Sequence, residues 1–197
     1  ATITAETAFV PDAANGATLG TASLEFADLY LHDGGVVYFG ADQDVELTHV
    51  ADVGLTLKTA TTSDDTKATL TLQTGDTDIA VNDVLGQLHF QAPDEGAGTD
   101  AILVAAGIAA ISEGDFSASN NATKLSFQTG ASEAAAERMS ISSTGATIIT
   151  VADNSDTLTL RSTDADANAG PVLALHRDSG SPADNDIIGR IDFIGDN

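Results

Sequence analysis

The sequence predicts an all-β fold, an elongated and repetitive shaft of β-hairpins or β-helical turns in which identical chains intertwine. Three observations predict it. Apolar and polar residues alternate with period two in many short segments, turn-forming clusters separate these segments, and one stretch of the sequence pattern is repeated. Alternation of this kind places apolar side chains on one face of a strand and polar side chains on the other.

The predicted strands are short segments in which every second residue is apolar. In chain order they are SLEFADLYL, VELTHV, GLTLK, ATLTLQ, GQLHF, KLSFQ, RMSIS, TLTLR, VLALHR and GRIDF. Between them lie HDGG, GADQD, TGDTD, APDEGAGTD and DSGSPADND, whose Gly, Asn and Asp residues favour turns. Regular alternation of strands and turns along most of the chain predicts the all-β class.

Two segments depart from this pattern. The run AILVAAGIAAI, residues 101–111, is continuously apolar and predicts a strand or short helix that is buried on both faces. It is much shorter than the roughly 20 residues that cross a bilayer as a helix. The segment ASEAAAERM, residues 131–139, has helix-forming Ala and Glu, but Glu133 and Glu137 repel at i,i+4 and the run is short. The sequence leaves open whether these residues form a turn of helix.

Residues 55–90 and 158–193 share one residue pattern without a gap, at a constant offset of 103 residues. The apolar pattern and the Asn-Asp turn are kept, whereas the intervening polar residues change. A module whose pattern persists while its chemistry varies is typical of a repetitive structure. The sequence therefore predicts an N-terminal attachment or cap module at 1–54, a first shaft repeat at 55–157 and the start of a second at 158–197.

An apolar stripe runs through both copies and is too long for one slender chain to cover. Such a chain would also leave its strand edges unpaired, and neighbouring copies would cover both. The residues expected to face inward are Leu55, Leu57, Leu70, Leu72, Leu88, Phe90, Leu158, Leu160, Leu173, Leu175, Ile191 and Phe193.

Composition excludes several classes of function. The 7 Lys and Arg against 30 Asp and Glu give a net charge of −23, which disfavours binding to nucleic acid. Cysteine is absent, so neither a disulfide framework nor a thiolate metal site is expected. No membrane insertion and no cofactor are predicted.

Two acidic clusters are weak candidates for a metal site. Asp164, Asp166 and Asn168 imitate the start of a calcium loop. However, Ala169 stands where the loop glycine belongs, and Leu175 stands where a bidentate Glu belongs, so we expect an Asx-rich turn. GADQDVEL places three acids at alternate positions of residues 42–46, for which a solvated acidic face is expected.

Catalytic motifs are not found. The sequence has no G-x-S-x-G nucleophile elbow and no phosphate-binding loop, and we expect a protein that is not an enzyme. Paired carboxylates for glycoside hydrolysis depend on the fold and stay open as an alternative. With seven Phe, two Tyr and no Trp, the chain is poorly equipped for a sugar-stacking groove.

The text from residue 16 to 58 closely resembles the N-terminal and shaft repeats of tail-fibre and related structural proteins of bacteriophages, especially marine ones, and FGADQDVELTHVADVGL is its most specific part. The segments AAAERMSISSTGA and LTLRSTDADANAGPVLALHRDSGSPADNDIIGRIDFIGDN resemble shaft segments of the same proteins. The resemblance implies a β-structured homotrimer. Many such fibres end in an intramolecular chaperone, of which no counterpart is found here. Because the second repeat breaks off at Asn197, we expect either a longer fibre or a shortened version.

The resemblance implies a structural role in the virion, on the tail or capsid and exposed to the extracellular medium. The expected partners are two further copies of the chain, other virion or tail proteins, and a host surface receptor. A polysaccharide-degrading tailspike and a bacterial surface adhesin with β repeats are the alternatives.

Overall fold

The computed structural model of the chain describes residues 10–13, 16, 18–62, 64–93, 98–165, 170–181, 183–187 and 189–194. Within these ranges the protein is all-β, with two antiparallel sheets, a single 3-10 turn at Asp100–Ile102 and no α-helix. No helix in the described ranges is long and apolar enough to span a membrane. The chain divides into two compact units, Ala1–Thr71 and Leu72–Asn197.

The first unit contains a three-stranded sheet in the order β1-β2-β3. Its strands are β1 (Val36–Phe39), β2 (Val45–Val50) and β3 (Gly54–Thr59). The turn before β2 uses Gly40 at φ 84° and Gln43 at φ 53°. The Gln43 side-chain amide donates to the Ala41 carbonyl oxygen at 2.7 Å, which holds this turn closed. The predicted strands VELTHV and GLTLK are confirmed as β2 and β3.

The second unit contains a five-stranded meander in the order β4-β5-β6-β7-β8. Its strands are β4 (Val84–Gln91), β5 (Val104–Ser112), β6 (Thr123–Thr129), β7 (Ala136–Ile141) and β8 (Thr147–Ile149). GQLHF, KLSFQ and RMSIS lie in or across β4, β6 and β7, as their alternation predicts. The apolar run at 101–111 forms most of the interior strand β5, which pairs on both sides.

The helix considered at 131–139 does not form. Residues 131–134 are bends, and Ala136–Ile141 is β7, paired with β6 from Leu125↔Ile141 to Thr129↔Ala136. Cross-strand pairing in the sheet overrides the local helix preference of Ala and Glu.

Five predicted strands take no part in a ladder. SLEFADLYL, ATLTLQ, TLTLR, VLALHR and GRIDF lie in described ranges that contain no strand, apart from an isolated bridge between Thr21 and Leu24. Their alternation is strand-like, but no neighbouring backbone in the described part of the chain supplies the ladder hydrogen bonds.

The Asn-Asp turn of the internal repeat is the same in both copies. Asn82 has φ 73° and Asn185 has φ 69°, the left-handed region that Asn tolerates better than most residues. The Asp83 carboxylate accepts from the Ala80 backbone N–H at 2.7 Å, and the Asp186 carboxylate accepts from Ala183 at 3.1 Å. The two copies share this turn geometry.

Strand pairing differs between the copies. Leu55 begins the first copy within β3, which pairs with β2, and the first copy ends in β4, which pairs with β5. The aligned segments at 158–162 and 187–194 form no ladder in their described residues. The division into compact units falls at residue 71. The predicted boundaries at residues 54 and 157 were drawn from the sequence repeat, and they stay predictions.

Candidate functional site

The two faces of the five-stranded sheet differ in chemistry. One face, here called the polar sheet face, carries the cross-strand row Ala109, Ser126 and Ser140. These side chains are buried, with exposures of 2%, 0% and 9%. Longer polar side chains of the same face cover them, among them Lys124 and Glu137, whose Nζ and Oε2 atoms are 2.9 Å apart. The polar side chains of this face therefore find partners within the chain.

Glu137 is held as a carboxylate on the polar sheet face. A hydrogen bond from Lys124 lowers the pKa of Glu137 below its ordinary value against the opposing effect of desolvation. Hydrogen bonds with the hydroxyl groups of Ser126 and Ser140 lower it further. Lys124 compensates the charge of Glu137, and the two hydroxyl groups form hydrogen bonds with its carboxylate. The cluster therefore has the character of a structural ion pair.

The opposite face, here called the apolar sheet face, is a nearly continuous apolar surface. Because directly paired residues share a face of the sheet, the ladder register assembles it. Its central row and its flanking large residues are Leu88, Ile108, Phe127, Met139 and Ile149, with Phe90, Leu125 and Ile141 beside them. None of the paired positions on this face is charged.

Among the described residues of the second unit, no second sheet or helix lies over the apolar sheet face. The strands make their extensive contacts with their ladder neighbours. Phe90 is 58% exposed, and Leu88, Leu125 and Ile149 are 46%, 40% and 39% exposed. A sheet with one apolar face normally buries that face against another layer. The missing layer makes this face the leading candidate for an interaction surface.

Leu72 lies against the apolar sheet face. Gly86 pairs with Ala110 in the ladder, and a Cβ atom at Gly86 would lie 2.7 Å from the Leu72 Cβ atom. The repeat preserves this arrangement, because a Cβ atom at Gly189 would lie 3.0 Å from the Leu175 Cβ atom. A Cβ atom at Gly86 would therefore clash with Leu72, whereas one at Gly189 would require only a small shift of the Leu175 side chain.

The three-stranded sheet also has two unlike faces. Val37, Leu47 and Leu57 form an apolar cross-strand row. On the other face Lys58 Nζ donates to Glu46 Oε1 at 2.8 Å, and this hydrogen bond raises the pKa of Lys58. The sheet repeats on a smaller scale the separation found in the second unit.

The residues predicted to face inward are almost all exposed in the single chain. Leu57 is half-buried, and the other eleven range from 44% exposure at Leu72 to 98% at Phe193. Four of them lie in strands, Leu55 and Leu57 in β3 and Leu88 and Phe90 in β4. Leu88 and Phe90 lie on the apolar sheet face, with Leu72 against it, while Leu70, Leu158, Leu160, Leu173, Leu175, Ile191 and Phe193 lie outside the ladders.

Sequence reasoning missed the larger part of the apolar sheet face. Ile108, Phe127, Met139 and Ile149 were not among the residues predicted to face inward, although they share a row with Leu88. The alternation in KLSFQ and RMSIS contains the signal for Phe127 and Met139. The predicted inward-facing residues all belong to the two copies of the internal repeat, and these four residues fall between the copies.

The acidic segment at 42–46 does not form one strand face. Asp42 and Asp44 precede β2, and the side chains of both approach Gly40, with Asp44 Oδ1 at 2.6 Å and Asp42 Oδ1 at 3.1 Å from where its Cβ atom would be. Glu46 lies in β2 and pairs with Lys58. The three carboxylates are therefore not aligned, because the turn before β2 directs the first two towards Gly40.

The predicted calcium-like cluster falls mostly outside the described residues. Asp166 and Asn168 lie there, whereas Asp164 is described and its backbone N–H donates to the Ser162 hydroxyl at 3.2 Å. In the described ranges no three His, Asp or Glu side chains are grouped closely enough to hold a metal ion.

No protein-family model matches the chain. No curated protein shows significant similarity to it either. The assignment of function therefore depends on the residues and their geometry.

Proposed function

We propose that the chain is a structural component of a bacteriophage fibre, in which three copies form an intertwined shaft that spaces or presents the host-contacting part of the virion. The observation that carries the proposal is the apolar surface left uncovered in the single chain, on the apolar sheet face and along the repeat. Such a surface is unfavourable in water and is stabilised when further copies cover it.

The described structure supplies the parts that such a shaft needs. Short antiparallel strands give stiffness through backbone hydrogen bonds, and the strand-like segments without ladders offer free backbone groups to neighbouring chains. The repeated turn and the repeated glycine–leucine contact show that the same local structure recurs along the chain. Recurrence of one module is what a fibre of adjustable length requires.

The proposed mechanism of action is mechanical and involves no catalysis. The net charge of −23 would coat the outside of the shaft with carboxylates and keep neighbouring fibres apart in salt water. The expected partners are two further copies, other virion or tail proteins, and a host receptor.

Light scattering on two neighbouring substitutions tests the assembly. Leu175→Asp would place unpaired charges from three chains close together and should abolish the trimer, because burying an uncompensated carboxylate is strongly unfavourable. His176→Asp, one residue further on, adds the same charge and should be tolerated on the outer face. Both side chains are exposed in the single chain, so neither substitution alters its interior. A folded monomeric wild type, or a trimer indifferent to both substitutions, would defeat the architecture.

Two further measurements separate the fibre from its alternatives. Detection of the chain in purified virions supports the fibre, and its absence from virions supports a bacterial adhesin with β repeats. Release of reducing sugar from host envelope supports a polysaccharide-degrading tailspike.

A further inference from the structure

We infer that the apolar sheet face of the second unit is a contact surface between copies of this chain. This inference rests on the proposed self-assembly and adds the surface that forms it. The five-residue row from Leu88 in β4 to Ile149 in β8 crosses the whole sheet, so the surface is continuous from edge to edge. Most of its residues fall between the two copies of the repeat.

The size of the face suits an interface between copies. Five strands about 4.8 Å apart and three rows about 7 Å apart give a face of roughly 500 Å². A specific interface of standard size buries about 800 Å² on each partner. The face therefore supplies more than half of that area, and Leu72, which lies against it at Gly86, extends it.

The charge distribution marks this face as the surface through which a second copy can approach at the least electrostatic cost. Each copy carries a net charge of −23, so two copies approach most favourably through a surface without carboxylates. The paired positions of the apolar sheet face carry no charge. At the rim, Arg138 lies in the β7 bulge and interacts electrostatically with Asp153 of its own chain. The face thus presents apolar surface, which an identical face matches.

Strand β8 offers a matched pair of residues for the test. Ile148 pairs with Ser140 and therefore lies on the polar sheet face, whereas Ile149 pairs with Met139 and lies on the apolar sheet face. Both are exposed in the single chain, at 62% and 39%. The same substitution at these neighbours changes the same chemistry on opposite faces of one edge strand.

The first measurement is assembly as a function of protein concentration, by analytical ultracentrifugation. Ile149→Asp should raise the concentration at which half of the chains are assembled by at least about tenfold, because a buried carboxylate would lack a partner. Ile148→Asp should assemble like the wild type.

The second measurement uses the absence of cysteine from the sequence. In Ile149→Cys and Ile148→Cys the introduced thiol is unique, and its reaction with N-ethylmaleimide reports coverage. We expect the thiol at 149 to react at least about tenfold more slowly than the thiol at 148, because contact between copies shields it. If circular dichroism shows that Ile149→Asp does not fold, the two cysteine variants alone test whether the apolar sheet face is covered.

The outcomes separate this inference from the proposed function. A wild-type trimer in which both aspartate variants assemble equally, and both thiols react equally, overturns the contact surface and leaves the fibre standing. A monomeric wild type overturns both. In a monomer, slow reaction at 149 alone would mean that another part of the same chain, or a foreign partner that remains bound, covers the face.

Discussion

At the scale of single residues, Ser112 connects the repeated Asn-Asp turn to the five-stranded sheet. It is 1% exposed. Its hydroxyl group donates to the Ala80 carbonyl oxygen and accepts from the Asp83 backbone N–H at 3.0 Å. One buried hydroxyl group therefore satisfies two backbone groups of the turn.

Replacing this hydroxyl group should be costly. Ser112→Ala removes both hydrogen bonds and leaves the Asp83 N–H and the Ala80 carbonyl oxygen with only their long mutual hydrogen bond of 3.3 Å. We therefore expect a loss of about 1–3 kcal/mol in the free energy of unfolding. The control is Ser119→Ala, an exposed turn position that should change stability by less than about 0.5 kcal/mol. Chemical denaturation measures both, and equal effects would mean that the turn does not depend on Ser112.

At the scale of elements, alternation predicted the strands that possess a partner in the chain. β2, β3, β4, β6 and β7 follow from their period-two patterns, since each one separates apolar from polar side chains and pairs with a neighbour. β1 was missed because VVYF is four residues long and does not alternate, and the three-residue β8 is too short to show a period. Pairing partners are tertiary information that local patterns do not contain.

The candidate site was predicted only in part, for a related reason. Leu88 and Phe90 were found because they belong to the repeat, whereas Ile108 and Ile149 join them only through the ladder register. Register is set by the turns and bulges between strands, such as the one between Phe127 and Gln128. A sequence pattern indicates which residues share a face of one strand and not which strands meet.

The contact between Gly86 and Leu72 is predicted to be necessary for packing of the first repeat. In Gly86→Ala the new methyl group would lie 2.7 Å from the Leu72 Cβ atom and 3.1 Å from its carbonyl oxygen. Relief requires movement of the backbone, so we expect a destabilisation of about 1–3 kcal/mol.

Gly75→Ala is the matched control, because no atom lies within 4 Å of its new methyl group. It should be neutral within about 0.5 kcal/mol. Gly189→Ala should have a smaller effect than Gly86→Ala, since the approach there is 3.0 Å and involves only the Leu175 side chain. Thermal unfolding of the three variants checks this order, and a neutral Gly86→Ala would show that Leu72 moves aside freely.

At the scale of the whole molecule, apolar surface and net charge oppose each other. The uncovered leucine, isoleucine and phenylalanine side chains favour association, and each contributes roughly 1.5–3 kcal/mol when it is fully buried. Bringing three chains of −23 together disfavours it. With 7 basic residues per chain, ion pairs between copies are too few to neutralise the carboxylates. Dissolved salt must therefore screen most of the repulsion.

Salt should consequently stabilise the assembly. The Debye length falls from about 30 Å at 0.01 M to about 10 Å at 0.1 M ionic strength, so repulsion between carboxylates on different chains weakens across this range. We expect the thermal midpoint of the assembled protein to rise with sodium chloride concentration. It should also rise with protein concentration, because unfolding of an oligomer is coupled to dissociation. Choline chloride at equal ionic strength is the control and should act equally if screening alone is responsible. A midpoint that falls with salt would mean that ion pairs between copies, and not apolar contacts, hold the chains together.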